Sequence, residues 1–178
     1  DRITAVETLC ICSGVALVSF ITGLGSDLFL AACAVAAAVA GFLPWTWNPA
    51  NRFLGDVGSV PIGFIMGWFL LEAPDRILGT RYTLPGYYVS DATLTVLKRL
   101  ICRKLIWESH REHLYQHAVA GSLTHGQAST AVGITGLWLI GCAILSVTGG
   151  SNIMVSIAAA IMGIIALLWY FHSASQTA

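Results

Sequence analysis

The chain has 178 residues, of which 56% are hydrophobic and 10% charged, and nine Lys and Arg balance nine Asp and Glu. Soluble domains carry roughly 25% charged residues, so this composition excludes a water-soluble surface. It also excludes a nucleic-acid partner, which requires a basic excess, and a disordered or collagen-like chain. Three stretches, Thr8–Ser26, Leu28–Asn51 and Leu114–Ala178, contain no Asp, Glu, Lys or Arg. A helix crossing a bilayer takes about 20 mostly apolar residues. The reading is an all-α, polytopic membrane helical bundle.

Apolar length and Gly, Pro and charge punctuation predict six spans, at about 4–24, 28–44, 57–73, 79–97, 127–148 and 152–172. The third stops at Glu72, Ala73, Pro74 and Asp75. The fourth is interrupted by Arg81, Pro85, Gly86 and Asp91, as in a tilted or broken helix. The Ala-rich stretch 31–40 suits close helix packing. The five cysteines (Cys10, Cys12, Cys33, Cys102 and Cys142) sit mostly in apolar runs and imply no disulfide framework.

Lys and Arg set the orientation. Lys98, Arg99, Arg103, Lys104 and Arg111 gather in the segment 98–126. Six spans with that segment inside also place Arg2 and Arg52 inside, leaving Arg76 and Arg81 outside. The start of the chain, the segment 45–56 and the C-terminus are then cytoplasmic. Trp45, Trp47, Trp107, Trp169 and Tyr170 fall near the membrane boundaries. The candidate chemistry collects on the cytoplasmic face.

Two constellations stand out there. The first is Asn48-Pro49-Ala50-Asn51-Arg52-Phe53-Leu54-Gly55-Asp56-Val57-Gly58-Ser59. A carboxylate at the start of a span, flanked by glycines, is a functional hypothesis by default. Gly55 and Gly58 allow a ligand close to the backbone, and Asp56 suits Mg²⁺, which takes one or two carboxylates plus phosphate oxygens. The alternative is that Asp56 only caps the helix that follows. The second is Glu108-Ser109-His110-Arg111-Glu112-His113-Leu114-Tyr115-Gln116-His117. On a helix His110, His113 and His117 share a face, and Arg111 adds a planar donor fork suited to phosphate. The alternative is a solvated loop against anionic headgroups. Asp91 is expected to pair with Arg99 or orient this loop, and His125 and His172 to do nothing specific.

Taken in order, Phe42-Leu43-Pro44-Trp45, Pro49-Ala50, Phe53-Leu54-Gly55-Asp56-Val57-Gly58-Ser59, Asp91-Ala92-Thr93-Leu94-Thr95 and His110-Arg111-Glu112-His113-Leu114-Tyr115-Gln116 resemble one family. It is the polyprenyl-phosphate N-acetylhexosamine-1-phosphate transferases, glycosyltransferase family 4. The branch resembled is that of the bacterial O-antigen and exopolysaccharide initiating enzymes. Asp1-Arg2-Ile3-Thr4 resembles the tail of the family's Asp-Gly-x-Asp-Gly loop, with Arg2 in place of glycine, and Thr46 stands where the family usually has Asn. The chain therefore reads as the C-terminal part of one transferase domain, 1–178, beginning mid-protein and inactive by itself.

The resemblance implies transfer of N-acetylhexosamine-1-phosphate from a UDP-amino sugar to undecaprenyl phosphate, with Mg²⁺ or Mn²⁺, at the bacterial inner membrane. It implies that Asp56 binds the metal and that Asp1, Asp56, His110 and His113 are catalytic. Phe53, which would stack on uracil, and Asn48, Arg111, Gly55 and Ser59 would bind substrate. Membrane lipids are expected partners, and the reading leaves room for a homodimer. The competing class is a transporter or channel for an anionic solute or lipid, which predicts internal repeats and paired broken helices. One broken span and no repeat are found.

Overall fold

A computed structural model describes residues 2–23, 26–46, 52–73, 77–103, 113–148 and 153–176. Its helices are α1 (Arg2–Thr22), α2 (Ser26–Thr46), α3 (Gly55–Glu72), α4 (Leu78–Thr83), α5 (Gly86–Ile101), α6 (Leu114–Gly121), α7 (His125–Thr148) and α8 (Ile153–Ser175). Among the described residues there is no strand. The expected all-α membrane bundle is what forms.

Among the described residues four helices, α1, α2, α7 and α8, are long and apolar enough to cross a bilayer. The other two of the six expected spans, 57–73 and 79–97, are not among them. At 18 residues α3 is about 27 Å long, just short of a hydrocarbon core of about 30 Å. The fourth expected span is two helices, because Pro85 has no N–H to continue a helical ladder. The broken pair still traverses the bundle. Gly79 lies against Ser146 in the last turns of α7, and Leu84 against Gly14 midway along α1. Asp91 lies beside Thr4 and Glu7 near the start of α1.

Two apolar cores hold the helices. Ile11, Val15, Val18, Phe69, Ile77, Leu84 and Ile140 form one around α1. Tyr87, Ala118, Val132, Leu139, Ile164 and Phe171 form the other, between α5, α6, α7 and α8. Large apolar side chains such as Phe20, Phe64, Met162 and Trp169 face outward, which costs little where the surroundings are lipid tails. All five cysteines are free; Cys12 and Cys142 are buried, whereas Cys102, just past α5, is exposed.

Several helix ends meet at one end of the bundle. Arg2, opening α1, donates from Nε and Nη2 to the carbonyl of Thr46, the last residue of α2, at 3.3 and 3.2 Å. A cation there satisfies one of the orphaned carbonyls of a helix C-terminus and offsets its partial negative charge. Helix α2 thus runs past the expected limit at 44, through Pro44. The N–H of Arg52 donates to the carbonyl of Trp45, bringing the approach to α3 to the same end. Ser122 Oγ donates to the Ala174 carbonyl, tying α6 to the end of α8.

Candidate active site

At this end α5, α6 and the start of α1 enclose a cleft of about 140 Å³ lined by Thr4, Glu7, Tyr87, Tyr88, Asp91, His113 and Tyr115, among others. Its best-defined contact joins Asp91 Oδ2 to His113 Nδ1 at 2.8 Å. Asp91 is 7% exposed; buried carboxylates are tolerated where they are paired. Its Oδ1 also accepts the N–H of Leu114 at 3.4 Å. Helix formation sets the spacing on one side of the pair, since Thr95, one turn after Asp91, donates its hydroxyl to the Asp91 carbonyl at 2.8 Å. On the other side His113 precedes α6, where Gln116 Oε1 accepts its backbone N–H at 3.3 Å.

Two aromatic hydroxyls and a second carboxyl complete the cleft. The rings of His113 and Tyr115 stack with centroids 5.8 Å apart and planes 20° from parallel. Burial raises the Tyr115 hydroxyl above the usual phenol range, against an opposing hydrogen bond from Gln116, so it stays a neutral donor. Glu7, on α1, is buried and lines the cleft. The Tyr87 hydroxyl is buried with no hydrogen-bond partner among the described residues. A larger cleft of about 440 Å³ shares Ile3 and Tyr115 with the first and adds Arg2, Gln116, His125 and Ser129. Together they form a polar recess at one end of an apolar bundle, with groups to donate to phosphate or hydroxyl oxygens and to accept from hydroxyls.

The expected site residues fall into three sets. His113 is in the recess. Phe53, Gly55, Asp56 and Ser59 lie at the start of α3, where Phe53 and Asp56 are exposed, and they line neither cleft. Asp1, Asn48, His110 and Arg111 lie outside the described residues. Gly55 takes φ +58 with open space around it, so what needs glycine there is the left-handed backbone that turns the chain into α3. Asp91 bonds across the loop to His113 and not along its own helix to Arg99, which is two turns away. The sequence reading passed over Glu7, although a carboxylate inside a predicted span was the available signal. It also set aside His125, which lines the larger cleft beside Arg2.

Among the described residues no three His, Cys, Asp or Glu side chains gather as a metal site. Asp56 is a single exposed carboxylate, and one carboxylate is a donor set that fits Mg²⁺ only when phosphate oxygens and water supply the other positions.

Residues 1–73 match the family described as Glycosyl transferase family 4. The matched segment includes Phe53-Leu54-Gly55-Asp56, while the His110–Gln116 block lies beyond it. Proteins named phospho-N-acetylmuramoyl-pentapeptide-transferase are similar to the chain over 77 residues. The one from Mycobacterium ulcerans is 38% identical, covering 43% of this chain and 21% of the relative. Those from Mycolicibacterium smegmatis and Mycobacterium tuberculosis are 36% identical over the same shares. The chain thus spans about a fifth of the length of these relatives, and their name is not that of an O-antigen initiating enzyme. No solved structure matches the chain.

Proposed function

We propose that the protein containing this chain transfers N-acetylhexosamine-1-phosphate from a UDP-sugar to undecaprenyl or another polyprenyl phosphate and releases UMP. The product would start a lipid-linked cell-envelope glycan, such as an O-antigen, at the bacterial inner membrane. The observation that carries this reading is the glycosyl transferase family 4 match over the segment holding Gly55-Asp56.

In the reaction a lipid phosphate oxygen attacks the β-phosphorus, and the bond from that phosphorus to the bridging oxygen breaks, so that oxygen leaves with UMP. Several negative charges meet in that step, and catalysis depends on positioning and neutralising them. His110, Arg111 and His113 would donate to the diphosphate, with the planar fork of Arg111 suited to two oxygens at once. Phe53 would stack on uracil. Asn48, Gly55 and Ser59 would contact the nucleotide sugar, and Asp1 would line the uridine side. Asp56 would hold Mg²⁺, or Mn²⁺, which when bound supplies charge neutralisation. A polyprenyl acceptor needs a membrane-embedded enzyme, and a nucleotide sugar needs an opening to the cytoplasm. The recess at the end of the bundle suits both.

The test is UMP release by membranes carrying the protein, with polyprenyl phosphate, Mg²⁺ and a panel of UDP-N-acetylhexosamines and UDP-N-acetylmuramoyl-pentapeptide. Release that requires lipid phosphate and metal is expected, with an N-acetylhexosamine as donor. The Asp56→Asn variant is expected to insert normally and lose turnover. Normal activity in that variant would remove Asp56 from metal binding, and release with the pentapeptide donor alone would replace the proposed sugar.

A further inference from the structure

The Asp91–His113 contact has a directional chemistry. An ionised carboxylate only accepts hydrogen bonds, so a carboxylate oxygen 2.8 Å from His113 Nδ1 needs a proton on that nitrogen. The second group near Nδ1 agrees. Thr95 Oγ1 lies 3.5 Å away, and its one hydroxyl proton is committed to the Asp91 carbonyl, so it too presents a lone pair. Both of these neighbours of Nδ1 are acceptors. In the neutral imidazole the other nitrogen, Nε2, is then the basic one.

The pair is also held firmly. Asp91 sits on the inner face of α5 and is 7% exposed, and its second oxygen takes the Leu114 N–H, which fixes the first turn of α6 to α5. The His113 backbone N–H is held by Gln116, and the ring stacks on Tyr115. Backbone, ring plane and one ring nitrogen are thus each fixed by a different contact. A structural pairing alone would not require that the ring also line a polar cleft, as His113 does.

We propose that Asp91 is a positioning residue: it holds His113 in the Nδ1–H tautomer and in a fixed orientation at the cleft, so that Nε2 is the nitrogen that meets substrate. For its link to turnover the proposal rests on the transferase reading above; for the tautomer it rests on this geometry alone. An orienting carboxylate behind a histidine is a general device: with the Nδ1 proton held by Asp91, Nε2 is the nitrogen that takes up a proton as the ring charges, and it then donates to a diphosphate oxygen, the role given to His113 above.

The experiment combines ¹⁵N NMR of the His113 imidazole in the purified protein with steady-state kinetics of UMP release. In the unaltered protein the neutral ring is expected to carry its proton on Nδ1. In Asp91→Ala that preference is lost, and kcat falls by about a hundredfold or more, while KM for the UDP-sugar stays within about twofold. Asp91→Asn keeps its carbonyl oxygen on the Leu114 N–H and turns its amide NH2, a donor, toward Nδ1, so it is expected to move the ring proton to Nε2 and to lose kcat as the alanine variant does. It also serves if the alanine variant does not fold. A proton on Nε2 in the unaltered protein overturns the proposal, as does a folded Asp91→Ala variant with full kcat or with a defect confined to KM. If the unaltered protein carries Nδ1–H yet releases no UMP with any donor, the transferase reading fails while the tautomer assignment stands.

Discussion

At the scale of single residues, glycines and carboxylates carry the most information. Gly55 needs its φ of +58, a conformation that costs L-residues about 1–2 kcal/mol. Asp56 follows it directly, so strain at residue 55 is passed to the candidate metal ligand. Gly55→Ala is expected to lower stability by about 1 kcal/mol and to reduce UMP release more than that loss explains, with His113 NMR unaltered. An alanine variant as active and as stable as its parent would show that the left-handed backbone is dispensable. Reading such residues from sequence has an uneven record for a physical reason. Gly55-Asp56 is a local pattern, and its glycine requirement is visible in the chain itself. The relevance of Asp91 depends on a partner 22 residues away, and nothing in the intervening sequence announces that partner.

At the scale of elements, ends matter more than middles. Helix α2 is capped by Arg2 from α1. At the other end of the bundle Arg81 of α4 donates to the carbonyls of Leu71 and Ala73 at the C-terminus of α3. Short α6 is held against α8 by close backbone approach, since a Cβ on Gly121 would lie 2.6 Å from the Ala174 carbonyl oxygen. Backbone cannot move aside as a flexible side chain can, so Gly121→Val is expected to cost about 1–3 kcal/mol. It should also loosen α6, disturbing Tyr115 and His113. Thermal unfolding in detergent measures the first effect and the His113 signal the second. A variant with parental unfolding temperature would mean that α6 and α8 are not locked as described. The fourth expected span shows what element-level reading catches: Pro85-Gly86 announced the break, and only packing against α1 and α7 shows where the two pieces run along the bundle.

For the whole molecule, orientation in the membrane decides which substrates the recess can meet. The sequence-derived orientation puts seven of the nine Lys and Arg residues on the cytoplasmic side, among them Arg2, which lines the recess. Cys102 is exposed just past α5, while Cys12 and Cys142 are buried. A membrane-impermeant thiol reagent is therefore expected to label Cys102 in inverted inner-membrane vesicles and not in intact cells, with Cys12 and Cys142 unreactive from either side. Labelling of Cys102 from outside the cell would reverse the orientation and remove the cytoplasmic nucleotide sugar from the recess.

Composition and the spacing of charges are enough to decide the class of this protein. A chain with so few charges and such long apolar runs has to satisfy its backbone within helices inside lipid, whatever its tertiary arrangement. The segment holding Gly55-Asp56 is likewise legible, because its pattern is contiguous. What only the tertiary structure decided is which polar side chains meet: Asp91 with His113, Glu7 and Tyr87 at the same cleft, Arg2 with the end of α2. Apolar periodicity says that a helix crosses a membrane, but in a chain whose helices are apolar on most faces it does not say which face turns inward. That choice is made by packing between helices far apart in sequence, and the chemistry of the recess follows from it.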